Sequence, residues 1–356
     1  MRLKNVVLLV LLTMAPAVNS AETPSTALLI LAKSEQALYI VDPGTQAVVA
    51  KVSAGPDPHE IVASEDGKFA YISNYGGGSL NTITVVNLVK QKTLQAIDLG
   101  ALRGPHGLVF VDGKVWFTAE AARVVGSYDP ATQKIDWVLG TGQDRTHMIY
   151  VFRGHERMAT SNVNSATVTL IEKDNSPRRG PGPPPGAPGK PAAQGPAGGG
   201  PMGARPLNWI ETVIPVGAGA EGFDVSPDGK EIWVGNAQDG TISIIDVASK
   251  TVVQTLDAKV GGANRLKFTP DGKLVLVSTL RGGDLTVLNA ASRKEVKRIA
   301  IGHGAAGILM QPDGTRAYVA CTPDDYVVAI DLKTLELAEK IAVGKEPDGL
   351  AWAVRR

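Results

Sequence analysis

Seven β-prone runs along the chain each end on an acid or an amide, at Asp42, Asn87, Asp129, Glu172, Asp246, Asn289 and Asp331. The steps between them are 45, 42, 43, 74, 43 and 42 residues. A repeat of this size means one small unit copied along the chain, since a single unit cannot bury its apolar face alone. Inside the unit, "SEDGKFAYISN", "VDGKVWFTAE", "SPDGKEIWVGN", "TPDGKLVLVST" and "QPDGTRAYVAC" set Asp-Gly between two strands. A two-residue hairpin needs positive φ there, which Asp-Gly supplies. A sixth copy, "VFRGHERMATSN", keeps only Gly154. A third strand follows ("NTITVVN", "GTISIID", "DYVVAID"), then a fourth ("TLQAIDLG", "TVIPVG", "KIAVG"). The expectation is an all-β chain: a seven-bladed β-propeller of four-stranded antiparallel blades. The chain starts with a second strand lacking a first, "ALLILAK", and finishes with a first strand lacking the rest, "EPDGLAWAVRR". The C-terminal strand should therefore complete the N-terminal blade and close the ring, leaving no open sheet edge.

The one long step has a visible cause. Residues 176–207 hold 19 Pro or Gly in 32 positions, with Arg178, Arg179, Lys190 and Arg205 and no acid. Such a stretch cannot bury enough apolar surface to offset chain entropy, so it is expected to be a disordered surface insertion. It falls between the third and fourth strands of the fourth blade. The remainder of 21–356 reads as one propeller. Residues 1–20 carry Arg2 and Lys4, an apolar run from Val6 to Leu12, and small residues ending at Ser20. That is the layout of a signal peptide, too short in its apolar core to span a bilayer. A periplasmic or secreted monomer is expected, with no membrane attachment after cleavage. Cys321 is the single cysteine, so no intramolecular disulfide can form. A net charge of +1 gives no reason to expect nucleic acid as a partner.

The stretch "PDGKEIWVGNAQDGTISIIDVASKTVVQTL", with "YISN" and "WVGN" in second strands, resembles the YVTN-type bacterial β-propeller repeat. The resemblance covers nearly all of the chain outside the insertion and the signal peptide. It implies the propeller fold, in a family with binding, surface-layer and enzyme-like members.

The repeat also aligns residues that the sequence keeps far apart. Two positions before the first apolar residue of each first strand stand His59, His106, His147, Glu221, Asn264, Ala306 and Asp348. First strands of a propeller run beside the central channel, so these seven positions should ring one of its mouths. Three of the five histidines occupy consecutive blades of that ring. Imidazoles flanked by carboxylates suit a divalent metal ion, and the expected ligands are His59, His106, His147, Glu221 and Asp348. Second-strand ends should open onto the same face. This adds Lys33, Glu120, Asn74, Asn162 and Asn236, with Asn264 and Arg281, as groups that can bind a small-molecule ligand or a protein partner. The sequence has no Cys-x-x-Cys-His for haem, and "GGG" at Gly76–Gly78 opens no helix that would cradle a nucleotide phosphate. There is no Gly-x-Ser-x-Gly and no His-Glu-x-x-His.

Two functions follow. One is an exported binding protein that presents the channel mouth to a ligand, a metal or a partner. The other rests on "GPHGLVFVDGKVWFTAE", which is similar to the blades of streptogramin lyases, with His in "PHG" and Glu after "WFT". That likeness implies a metal-dependent lactonase or lyase, with His106, Glu120 and His147 as the catalytic candidates. Gluconolactonase-like propellers hold their ion with Glu, Asn and Asp, and Glu221, Asn264 and Asp348 offer the same residue types.

Overall fold

The computed structural model describes residues 22–174 and 209–355. The expected signal peptide, 1–20, and the Pro/Gly-rich insertion, 176–207, lie outside the described residues. The rest forms seven antiparallel sheets, one per repeat. Their first strands, taken as blades 1 to 7, are Pro347–Val354, Pro58–Ala63, Pro105–Val111, Thr146–Val151, Ala220–Val225, Ala263–Phe268 and Ala305–Met310. Blade 1 is assembled from both ends of the chain. Pro347–Val354 pairs with Thr26–Ala32, from Thr26↔Val354 to Ile30↔Leu350, and closes the ring.

Apolar side chains meet between the blades. Trp233, Ile242 and Ile244 of blade 5 pack on Leu266, Phe268 and Val275 of blade 6. Trp233 is fully buried, with its ring 5.7 Å from Phe268. Trp352 meets Tyr318 in the same way between blades 1 and 7. Alternation along each strand feeds both faces of a blade into two such interfaces, so no single core exists.

The hairpins differ from the expected two-residue turn. Only blade 3 has one, with Asp112 at φ 52° and Gly113 at φ 76°. In blades 2, 5, 6 and 7 the loop is longer. There the aspartate accepts hydrogen bonds within the loop, as Asp271 does from the Thr269 hydroxyl and the Lys273 N–H, while glycine alone takes positive φ. The aspartate is chosen for its acceptor oxygens, because it caps the loop. A second departure lies in blade 2. "TLQAIDLG" does not give one fourth strand but two fragments, Lys92–Thr93 and Ile97–Asp98.

Near the axis every first strand bulges where the ring residue sits. Register jumps from Pro58↔Asn74 to Ile61↔Ile72 in blade 2, and from Thr146↔Asn162 to Ile149↔Thr160 in blade 4. The bulge turns two successive residues toward the channel or the next blade. In four blades the second is glycine, for want of space: a Cβ on Gly222 or on Gly307 would lie 2.3 Å from the carbonyl oxygen of Asn264 or of Asp348 in the next blade. A second-strand hydroxyl ties the bulges together. Thr118 accepts from Gly107 N–H and donates to the His147 carbonyl at 2.7 Å; Ser278 does the same between Arg265 and Ala306.

Candidate functional site: a buried histidine–carboxylate cluster at the channel mouth

The bulges bring the ring residues together as neighbours. The ring centroids of His59 and His106 are 5.0 Å apart, and those of His106 and His147 are 3.9 Å apart. His106 and His147 are buried at 3% and 1% exposure. His147 is clamped between carboxylates: its Nδ1 contacts Glu120 Oε1, and its Nε2 lies 3.0 Å from Glu221 Oε1. Arg145 reaches both acids, at 3.4 Å and 3.7 Å. The Tyr75 hydroxyl donates to Glu120 Oε2 at 2.5 Å, and its ring stands edge-on to His106 and His59.

The other side of the ring is a separate cluster. His59 Nδ1 is 3.3 Å from Asp348 Oδ2, and its Nε2 is 3.0 Å from Lys33 Nζ and 3.6 Å from Asp57. Lys33 is also 3.3 Å from Asp348. Thus His59 and Asp348 join each other and a lysine rather than the two buried histidines' carboxylates. Asn264 is buried in the ring with its Oδ1 unpartnered. Arg281 is exposed and lines a 260 Å³ hollow that it shares with Arg145 and Glu221 of the cluster.

The three second-strand asparagines hydrogen-bond within their own blades or to the adjoining loop. Asn162 Nδ2 donates to Thr167 and Thr169 hydroxyls, Asn236 Nδ2 to Thr241 and Ser243, and Asn74 bonds Ala54, Thr82 and Thr84. Each one ties its second strand to the third of the same blade, and Asn236 keeps its Oδ1 buried without a hydrogen-bond partner. Glu120 escapes that fate through the hairpin. Blade 3 pairs Ala119 with Pro105, whereas blade 2 pairs Asn74 with Pro58, so the short Asp112-Gly113 turn removes two residues. Glu120 therefore matches Tyr75 rather than Asn74, one step closer to the channel.

Electrostatics separate the two buried imidazoles. Burial, and then the positive neighbours His147, His59 and Arg265, push His106 well below the usual histidine range and keep it neutral. Burial opposes charge on His147 as well, but Glu221 and Glu120 more than offset it and raise its pKa. Burial likewise opposes charge on Glu221, yet His147, Arg145 and Arg265 bring its pKa down to about 2. Beneath the ring, Arg265 of blade 6 pairs with Glu60 of blade 2. Those blades are not adjacent, so the pair spans the channel and floors the site.

Sequence reasoning missed Tyr75, Arg145, Glu60, Arg265 and Asp57. A signal existed for two of them. The residue two before each ring position takes positive φ in all seven blades: Asp57, Gly104, Arg145, Gly219, Gly262, Gly304 and Glu346. Four are glycine, as that backbone region favours. Charged residues held there cost about 1 kcal/mol or more each, and such strain collects at functional sites.

The histidine–carboxylate geometry fits a metal. One donor atom each from His106, Glu120 and His147 lies within 4.8 Å of the others, all three buried. His106 Nδ1 is buried without a hydrogen-bond partner, which for an imidazole is an open coordination position.

Comparison with known proteins supports the fold. A family model described as YNCE-like beta-propeller matches residues 208–316, under a third of the chain. The span contains "PDGKEIWVGNAQDGTISIIDVASKTVVQTL" but not "YISN" of blade 2, and agrees with the resemblance only at the level of a β-propeller repeat. No curated protein matches the chain. Among solved structures, a functionally unknown protein from Desulfotomaculum acetoxidans aligns with a TM-score of 0.70 at 11% identity, over 93% of this chain and 99% of that one. Hydrazine synthase of Kuenenia stuttgartiensis aligns at 0.62 and 16% identity, over 83% and 89%. The dihydro-heme d1 dehydrogenase NirN aligns at 0.61 and 15% identity, over 93% of this chain and 66% of its own. At these identities the shared property is the β-propeller.

Proposed function

We infer that this is an exported binding protein whose channel mouth holds one divalent metal ion through His106, His147 and Glu120 and presents it to a small ligand. The carrying observation is the buried trio with donor atoms within 4.8 Å and an unpartnered His106 Nδ1. Charge supports it. Asp57, Glu60, Glu120, Glu221 and Asp348 face Lys33, Arg145 and Arg265, five carboxylates against three permanent cations. A dication balances that excess, and Glu221 lies 3.0 Å from His147 Nε2, the ring nitrogen not facing Glu120. Export rests on the basic and apolar layout of residues 1–20.

The test is calorimetric titration of untagged, chelator-treated protein with Zn²⁺ and with Mn²⁺. One site per chain, weakened at least ~100-fold by His106→Ala, is expected, in line with the loss of a direct ligand. Absence of binding, or binding indifferent to that substitution, removes the reading.

A second reading, a metal-dependent lactonase or lyase, is favoured by Tyr75 and His59. Both stand beside His106 but outside the ligand trio. Burial and then Glu120 raise the Tyr75 hydroxyl to about 12, so it stays protonated and can donate. A bound metal supplies Lewis acidity toward a carbonyl oxygen. His59 is placed to take a proton and Tyr75 to give one. Lactone hydrolysis that falls with His59→Ala while metal occupancy holds would support it; metal-loaded protein inert toward lactones would end it.

A further inference from the structure

Among the described residues only blade 2 has a fourth strand split in two, and a groove opens beside the break. After Leu94, whose N–H still bonds Val85 O, the chain leaves the sheet at Gln95 and Ala96 before Ile97–Asp98, and a space of 1030 Å³ remains between blades 2 and 3. Its walls are aromatic and aliphatic: Phe69, Tyr71, Phe110, Tyr128, Ile97 and Ile135. Tyr71 and Phe110 stack at 5.8 Å. The charged lining residues are Glu65, Asp66 and Asp98 against Lys134 alone. An aromatic groove with an acidic rim is the type of surface that takes a proline-rich segment carrying basic residues.

The chain carries such a segment. We propose that the groove between blades 2 and 3 is the docking site for the chain's own Pro-rich stretch, centred on "RRGPGPPPGAPGKP", residues 178–191. Three observations commit the occupant. First, charge is complementary: residues 176–207 hold four basic residues and no acid. Second, the described residues flanking the stretch lie one blade from the groove, against the other face of blade 3. Lys173 and Trp209 are paired neighbours, and Trp209 packs 5.1 Å from Trp137. Trp137 lies on Lys134–Gly140, whose first two residues line the groove. The groove is also edged by Pro130, Ala131 and Gln133, the third-to-fourth-strand turn of blade 3, and the Pro-rich stretch occupies the same connection in blade 4. Third, length suffices. A Pro-rich chain of 34 residues can span about 3 Å per residue, so one anchored at both ends can reach out about 50 Å, against one blade's width. Proline pre-sets an extended backbone, so docking costs less ordering entropy than for an ordinary chain.

The test compares full-length protein with a variant in which residues 177–206 are replaced by a short Gly-Ser link. A labelled synthetic peptide of residues 178–191 is titrated into both by fluorescence anisotropy. The shortened protein should bind the peptide at least ~10-fold more tightly than the full chain, where the tethered copy competes at an effective concentration on the order of millimolar. Tyr128→Ala in the shortened protein should weaken binding ~10-fold, as loss of an aromatic anchor does, and Glu65→Lys at the exposed rim should weaken it without touching the core. In the full chain, Lys190 and Arg205 both precede proline, so trypsin cuts the segment at Arg178 and Arg179. That cleavage should accelerate in the Glu65→Lys variant. Any of three results overturns the proposal: no peptide binding to the shortened protein, equal binding to both proteins, or protection from trypsin that rises with protein concentration. The last would assign the groove to a second copy.

Discussion

Removing one charge of the channel floor gives a sharp energetic test. Glu60 and Arg265 meet across the axis with their side chains 16% and 7% exposed. Glu60→Gln keeps the shape but withdraws the nearest counter-charge. Arg265 then retains one backbone acceptor, Asn264 O at 3.0 Å, with Asp348 and Glu221 as the remaining carboxylates. Breaking a buried pair from one side costs ~3–5 kcal/mol, and the two residual carboxylates place this site at the lower end, about 3 kcal/mol. With about 300 folded residues, the unfolding entropy is about 0.6 kcal/mol/K, so the melting temperature should fall by about 5 °C. Differential scanning calorimetry at neutral pH and low salt measures the shift. The double variant Glu60→Leu/Arg265→Met removes both charges and should melt within about 2 °C of the parent, since a hydrophobic replacement of a buried pair is often neutral. If Glu60→Gln melts with the parent, or the double variant falls as far as the single one, the pair does not bridge a dry channel and the floor is misread.

Three further outcomes follow from the same contacts. Deleting residues 347–356 removes the strand that pairs with Thr26–Ala32; gel filtration should show association through the exposed edge, together with loss of cooperative unfolding. Asn162→Ala removes hydrogen bonds to Thr167 at 3.0 Å and Thr169 at 2.9 Å. It should cost ~1–3 kcal/mol in chemical denaturation while leaving metal affinity unchanged, because the amide serves the blade and not the mouth. In acid, the loop aspartates should govern part of the loss of stability. The Thr269 hydroxyl and then the Lys273 N–H hold Asp271 at about 2, below its ordinary 3.8. A lowered carboxyl stabilises the fold above its unfolded value and loses that contribution as pH falls through the folded one. Asp271→Asn should therefore flatten the melting-temperature curve between those two values and leave it parallel to the parent at neutral pH.

The repeat itself was legible in sequence because it is a local property. Strand alternation, loop glycines and a step of about 43 residues recur, and the incomplete units at the two ends complete each other in blade 1. The same periodicity placed His59, His106 and His147 at one mouth, because equivalent positions in a closed ring must share a height. What the spacing could not supply was direction within that height. Asn74 and Glu120 sit at similar counts from their ring histidines, yet a hairpin shorter by two residues sends one side chain into its blade and the other to the channel.

Only the closed tertiary structure could choose partners across the axis. It paired Glu60 with Arg265, 205 residues apart, set Lys33 between His59 and Asp348, and left His106 Nδ1 buried without a partner. Sequence therefore determined the ring and which residue types stand on it. The tertiary structure decided which of them touch, because side-chain orientation at a bulge depends on one or two residues of register, whereas the fold depends on a pattern repeated seven times.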